Sequence, residues 1–129
     1  MKDEFLEIGI VGLGLMGASI VTSLLLSGHK IVGVAPLPDD LNHAFKRVEH
    51  YLEESYKQGF AKQKPQEYLQ QLLLTEDFED LKNCGLVMEC VIENIEVKKI
   101  IYKKVESCIS KTAILTTNTS AIPITILKD

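Results

Sequence analysis

Six residues near the start of the chain, Gly12-Leu13-Gly14-Leu15-Met16-Gly17, combine three glycines at a spacing that suits one kind of chemistry, the holding of a diphosphate by backbone amides. Gly12 permits a tight turn, Gly14 lets the backbone approach a pyrophosphate with no Cβ in the way, and Gly17 allows close packing of a helix on a strand. The amides of Leu15 and Met16 open that helix, so they and the positive end of its dipole face the phosphates. Glycine spacing alone is a weak signal, and its bland reading is a turn with no ligand. Here it follows an apolar strand directly and begins a helix, which is the context a dinucleotide site requires.

Such a site also uses an acid about 20 residues further on, at the end of the second strand, to bond the adenosine ribose. Ala35-Pro36 stand there. Neither side chain accepts from a 2′-hydroxyl, and no Arg or Lys lies between them and Lys46 to embrace a 2′-phosphate. A charged hydrogen bond contributes roughly 1.5 to 3 kcal/mol, so its loss weakens binding by about tenfold or somewhat more without abolishing it. Asp39 or Asp40 can substitute if the loop folds back.

The elements that must position these groups are legible as alternating patterns. Phe5 to Val11 is a short β-branched run stopped by glycine and predicts a buried strand. A helix is expected from about Met16 to Ser27, closed by Gly28, and a second buried strand at Ile31 to Val34. After the turn at Pro36 and Pro38, Asp39 or Asp40 caps a long amphipathic helix reaching about Lys57, with Leu41, Ala44, Phe45, Val48 and Leu52 inward and Gly59 at its end. Pro65 suits the first turn of a further helix through Glu67, Leu69, Leu72 and Leu73. Leu74-Thr75 reads as a short strand, Glu76 to Leu81 as a turn of helix and Leu86 to Ile92 as a strong strand. Ile95 to Ile109 reads as a helix with Val97, Ile100, Ile101, Val105 and Cys108 inward, and Ala113 to Thr117 as the last strand. Strands alternating with helices predict an α/β fold, a mainly parallel sheet covered on both faces, with a long helical insertion after the second strand.

Composition bounds the partners. With 129 residues, 46% hydrophobic and 25% charged, the chain has the length of one globular domain. Fourteen basic and eighteen acidic residues leave a net charge of −4, which offers no footprint for nucleic acid or an anionic membrane. No run of 18 apolar residues suggests a membrane span. Cys84, Cys90 and Cys108 form no CxxC pair, so neither a disulfide framework nor a metal site is expected, and a reducing, cytoplasmic setting is.

The second half of the chain is more specific. Val91-Ile92-Glu93-Asn94-Ile95-Glu96-Val97-Lys98-Lys99 and Thr116-Thr117-Asn118-Thr119-Ser120, with the loop from Gly12 to Gly17, resemble the NAD-binding domain of the 3-hydroxyacyl-CoA dehydrogenases. The likeness covers nearly all of residues 1–129, including the spacing of Leu41, Ala44, Val48, Leu52 and Gly59. It implies a Rossmann-like, doubly wound dinucleotide-binding domain whose family partner is a helical C-terminal domain, absent from this chain, through which a homodimer forms. It also implies NAD as cofactor, an acyl-CoA type of small-molecule substrate, and reversible oxidation of an L-3-hydroxyacyl-CoA to the 3-oxoacyl-CoA. Glu93, Lys98 and Asn118 then fall where the family contacts the nicotinamide half of the cofactor. Ser120 falls on the serine that bonds the substrate's 3-oxygen and helps orient the catalytic histidine. All four follow predicted parallel strands, where open α/β sheets bind ligands. Their bland readings are a helix N-terminal acid for Glu93, a solvated helix charge for Lys98, a turn former for Asn118 and an N-cap for Ser120.

The departures from the family pattern are Ala35 for its ribose-binding aspartate, Tyr51 for a serine that reaches the CoA, and Gln58 for a lysine. The family's general base, a histidine after the NTS segment, and its partner glutamate fall beyond Asp129. His29, His43 and His50 lie ahead of a strand and on a helix face, so the chain alone is expected to bind more than it catalyses. Two other readings stand beside the dehydrogenase domain: a truncated, non-enzymatic nucleotide-binding or interaction module of the same fold, and a related 3-hydroxyacid or sugar-acid dehydrogenase.

Overall fold

Two five-residue strands whose inner positions are all apolar or glycine form the centre of the sheet: β1 (Glu7–Val11) and β2 (Lys30–Val34), each buried from its second residue onward. Continuous burial of this kind needs cover on both faces, and the structure, a computed structural model describing residues 7–36, 40–91 and 94–117, supplies it. The remaining strands are β3 (Leu72–Thr75), β4 (Leu86–Glu89) and β5 (Ile114–Thr117). All four pairings are parallel, in the order β3-β2-β1-β4-β5. The expected α/β, doubly wound parallel architecture is therefore the one found.

The helices α1 (Leu15–Leu26), α2 (Asp40–Lys57), α3 (Pro65–Leu69) and α4 (Ile95–Cys108) divide between the two faces. Alternation along β1 sends Ile8 and Ile10 to one side, where they join Val21 and Leu25 of α1, Val48 and Leu52 of α2 and Tyr68 of α3. Val11 goes to the other side, with Val32 and Val34 of β2, Phe78 and Leu81 of a short 3₁₀ turn (Phe78–Leu81), and Ile101 and Val105 of α4. The long helical insertion after β2 consists of α2 and α3. It is pinned near its tip by the Tyr68 hydroxyl, which accepts from the amides of Lys62 and Gln63 at 3.1 and 3.2 Å.

Several expectations are revised. Leu72 and Leu73 belong to β3 and not to the preceding helix, which ends at Leu69, because β2 has an open side and pairs Ile31 and Val32 with them. Phe45 is exposed on α2. On α4, Ile100 is 65% exposed, while Lys98 and Tyr102 are buried beside Ile101 and Val105. Val97, Ile101, Val105 and Cys108 pack inward as expected; Ile100 is the exception, and the inward face also carries the charged Lys98. Cys84 is buried, and Cys90 and Cys108 are half-buried. Asp39 and Ile92 lie outside the described residues.

Candidate functional site

The chain reverses its direction of travel across the sheet between β1 and β4, both of which end at the same side, and ligands of open α/β sheets bind at such a point. Leaving β1, Gly12 adopts φ +99°, a left-handed conformation that side chains disfavour. Its amide donates to Val34 O at 2.9 Å. A Cβ at Gly12 would stand 2.8 Å from the carbonyl of Cys90 and 2.9 Å from the amide nitrogen of Val91, so the turn lies directly against the chain leaving β4. At Gly17 a Cβ would overlap the Gly12 carbonyl oxygen, which is the close approach of α1 to the end of β1.

Gly14 is different, because a Cβ there would meet no protein atom within 4 Å. The residue is exposed and is the N-cap of α1, with no side-chain cap and no acid in the first turn. Leu15 and Met16 are 69% and 60% exposed. First-turn amides have no intrahelical partner, and here no capping side chain competes for them. The turn therefore fits the diphosphate of a dinucleotide: donors, a favourable dipole and open space where a side chain would obstruct.

Arg47 of α2 braces this turn from the side, donating from Nη1 to Leu13 O at 3.0 Å. Next to it an open hollow of about 340 Å³ is lined by Leu15, His43, Lys46, Arg47, His50 and Tyr51. Tyr51 is thus half-buried in that hollow, and Gln58 is exposed beyond the end of α2. At the end of β2, Ala35 is buried and its amide donates to Thr75 O, so residue 35 itself offers no carboxylate. Asp39 and the side chain of Asp40 lie outside the described structure.

Lys98, expected among the cofactor contacts, is fully buried at 0% exposure. Its ammonium donates to Glu89 Oε1 at 3.0 Å, to Glu89 Oε2 at 2.8 Å and to Val91 O at 3.1 Å. Those three bonds match its three protons. It is therefore not a solvated helix charge. Glu89, the last residue of β4, is 1% exposed and also accepts from the amide of Val91 and from the hydroxyl of Thr117 at the end of β5. The sequence reading passed over Glu89. The available signal was an acid within an otherwise apolar buried strand, since an acid is almost never fully buried unless paired.

Glu93, Asn118 and Ser120 lie outside the described residues; along the chain they follow Val91 and Thr117 closely. Asn94, the N-cap of α4, accepts from the amide of Val97 at 3.1 Å. His43 and His50 are exposed on α2, and His29 is half-buried ahead of β2. Among the described residues no group of three or more His, Cys, Asp or Glu could hold a metal ion. Burial, and then the charge of Glu7, push the Cys84 thiol up from its ordinary value of 9.0 to about 12, so it is a neutral core group rather than a nucleophile.

Comparison with known proteins gives a consistent result. The family described as 3-hydroxyacyl-CoA dehydrogenase, NAD binding domain, matches residues 7–129. The chain is 30% identical over 122 residues to the probable 3-hydroxybutyryl-CoA dehydrogenase of Deinococcus radiodurans, covering 95% of this chain and 44% of that protein. It is 33% identical over 122 residues to the peroxisomal fatty acid beta-oxidation multifunctional protein of Oryza sativa subsp. japonica, covering 94% and 17% respectively. The crystal structure of FadB2 from M. tuberculosis superimposes with a TM-score of 0.89 at 28% identity, covering 97% of this chain and 45% of that one. The chain thus spans less than half the length of each of these relatives. With the glycine turn, the strand order and the match along residues 7–129 in agreement, the chain belongs to the 3-hydroxyacyl-CoA dehydrogenase family and forms its NAD-binding domain.

Proposed function

We propose that this domain serves an enzyme that reversibly oxidises L-3-hydroxyacyl-CoA thioesters to 3-oxoacyl-CoA. The observation that carries the reading is the open position at Gly14, above uncapped amides at the switch point of the sheet. The turn from Gly12 to Gly17 holds the diphosphate with the amides of Leu15 and Met16, and Gly14 and Gly17 keep the approach clear. Glu93 and Asn118 serve the nicotinamide half, and Lys98 serves it through the backbone it holds. NAD, when bound, supplies the acceptor for the substrate's hydride. Ser120 donates to the 3-oxygen and orients the family's histidine, which takes the alcohol proton with a glutamate beside it.

On this reading that histidine follows the NTS segment along the longer protein with the glutamate further on, and the family's helical C-terminal domain makes the homodimer. Residues 1–129 by themselves then bind without turnover, because their histidines lie on α2 and ahead of β2 rather than after β5. No helix among the described residues is long and apolar enough to cross a membrane. A reducing compartment, the cytoplasm in our reading, suits three free cysteines with no CxxC pair; the rice relative is named peroxisomal.

The second reading, a nucleotide-binding or interaction module without chemistry, is favoured by one observation, the alanine at the ribose position. Calorimetric titration with NADH, NADPH and acetoacetyl-CoA separates the two. The dehydrogenase reading expects NADH to bind, and the longer protein to oxidise it when given acetoacetyl-CoA. Absence of binding by either nucleotide at millimolar concentration would refute it.

A further inference from the structure

We propose that Glu89 and Lys98 are positioning residues for the cofactor site: their buried pair fixes the backbone of Val91 on both sides and, through it, the wall against which the glycine turn rests. The inference rests on the dinucleotide reading above. A fully buried carboxylate and ammonium are poor sources of net stability, because desolvation cancels much of their attraction. What this pair does instead is visible in its partners. Glu89 Oε2 accepts from the Val91 amide, and Lys98 Nζ donates to the Val91 carbonyl, so both polar groups of one residue are bound by the two halves of one ion pair. Glu89 Oε1 accepts from Thr117, the residue before Asn118. One carboxylate therefore ties together the ends of β4 and β5 and the first turn of α4.

Those ends are the points from which residues 92–93 and 118–120 depart. The turn itself touches the same segment: Cys90 donates its amide to Val11 O at 2.7 Å, and only the lack of a Cβ at Gly12 allows the approach to Cys90 and Val91. A loop held in this way is set in place before ligand arrives, which lowers the ordering cost of binding.

The test separates holding the fold from holding the site. Wild type, Glu89→Gln, Lys98→Met and the double variant Glu89→Leu/Lys98→Met of the full chain are compared by thermal unfolding and by NADH titration. Replacing both partners of a buried pair by apolar groups is often neutral for stability, whereas losing one is not. The double variant is thus expected to regain a melting temperature near that of wild type while NADH affinity stays about tenfold or more below it. Recovery of both together would overturn the proposal, since the pair would then be interchangeable core. Should the double variant fail to fold, Thr117→Val carries the test. It removes only the hydroxyl bridge to β5 and is expected to lower the melting temperature by a few degrees, the share of one hydrogen bond, while weakening NADH binding several-fold; unchanged affinity would overturn the proposal. A wild-type chain that binds no NADH would instead refute the dinucleotide reading, and this inference with it.

Discussion

Replacing Gly14 by alanine should leave the protein folded and impair it as a nucleotide binder. Gly14 has φ −69° and ψ −159°, a conformation alanine adopts without strain, and a Cβ there meets no protein atom within 4 Å. Alanine is a somewhat poorer N-cap than glycine, so the expected stability loss is under about 1 kcal/mol, or a few degrees in Tm. Binding should respond differently, because the new methyl group occupies the space through which a diphosphate reaches the first-turn amides. Losing one charged hydrogen bond costs roughly 1.5 to 3 kcal/mol, a fall in NADH affinity of about ten- to a hundredfold. Gly17→Ala provides the contrast, since its Cβ would overlap the Gly12 carbonyl oxygen; displacing backbone there should cost about 1 to 3 kcal/mol of stability or more. Circular dichroism melts report the first quantity. Calorimetric titration reports the second and suits a chain with no tryptophan. Wild-type NADH affinity in Gly14→Ala would show that the turn does not face a diphosphate, and a large stability loss in that variant would refute the claim that the space is reserved for ligand.

Three further outcomes are expected. Glu89→Ala, which strands a fully buried ammonium, should destabilise the chain by about 3 to 5 kcal/mol in urea unfolding; a loss below about 1 kcal/mol would mean that water reaches Lys98. The raised pKa of Cys84 keeps its proton on in the folded state while the unfolded chain loses it, so native stability should be level below about pH 9.0 and fall as pH rises from there toward 12. The urea midpoint of wild type should therefore drop more steeply above pH 9.0 than that of Cys84→Ala, and parallel profiles would contradict the burial of the thiol. In the longer protein, Ser120→Ala should lower turnover with acetoacetyl-CoA far more than it lowers NADH affinity; unaltered turnover would remove Ser120 from the chemistry.

Much of this was readable in residue order because the forces involved are local. A β-branched run ended by glycine, then apolar residues at helical spacing, specify β1, the turn and α1 within about twenty residues. The glycine turn was legible for the same reason, since Gly12 and Gly17 act on their own backbone and on one another. The unread features depend on contacts distant in sequence. Leu72 and Leu73 form a strand because β2 offers an edge, and nothing in the run after Pro65 signals that edge. Lys98 looks like one of several charges along α4, and only the folded sheet brings Glu89, Val91 and Thr117 around it. Lys98 lies three and seven residues before Ile101 and Val105 and so shares their inward face, whereas Ile100 falls off that face despite its apolar side chain.

The strand order also has a consequence for biosynthesis. β1 lies at the middle of the sheet but is made first, and its neighbours are made at very different times: β2 follows one helix later, whereas Ile8 to Val11 meet β4 only after residues 86–89 exist. At a translation rate of roughly 5 to 20 residues per second, the nascent chain carries a bare hydrophobic edge for about 3 to 11 seconds after β2 is complete. An exposed edge of that kind is a template for pairing with other chains. Escape from aggregation on the ribosome is thus governed by how quickly residues 35–89 emerge, and pauses placed between codons 35 and 85 should be more damaging than pauses placed after 90.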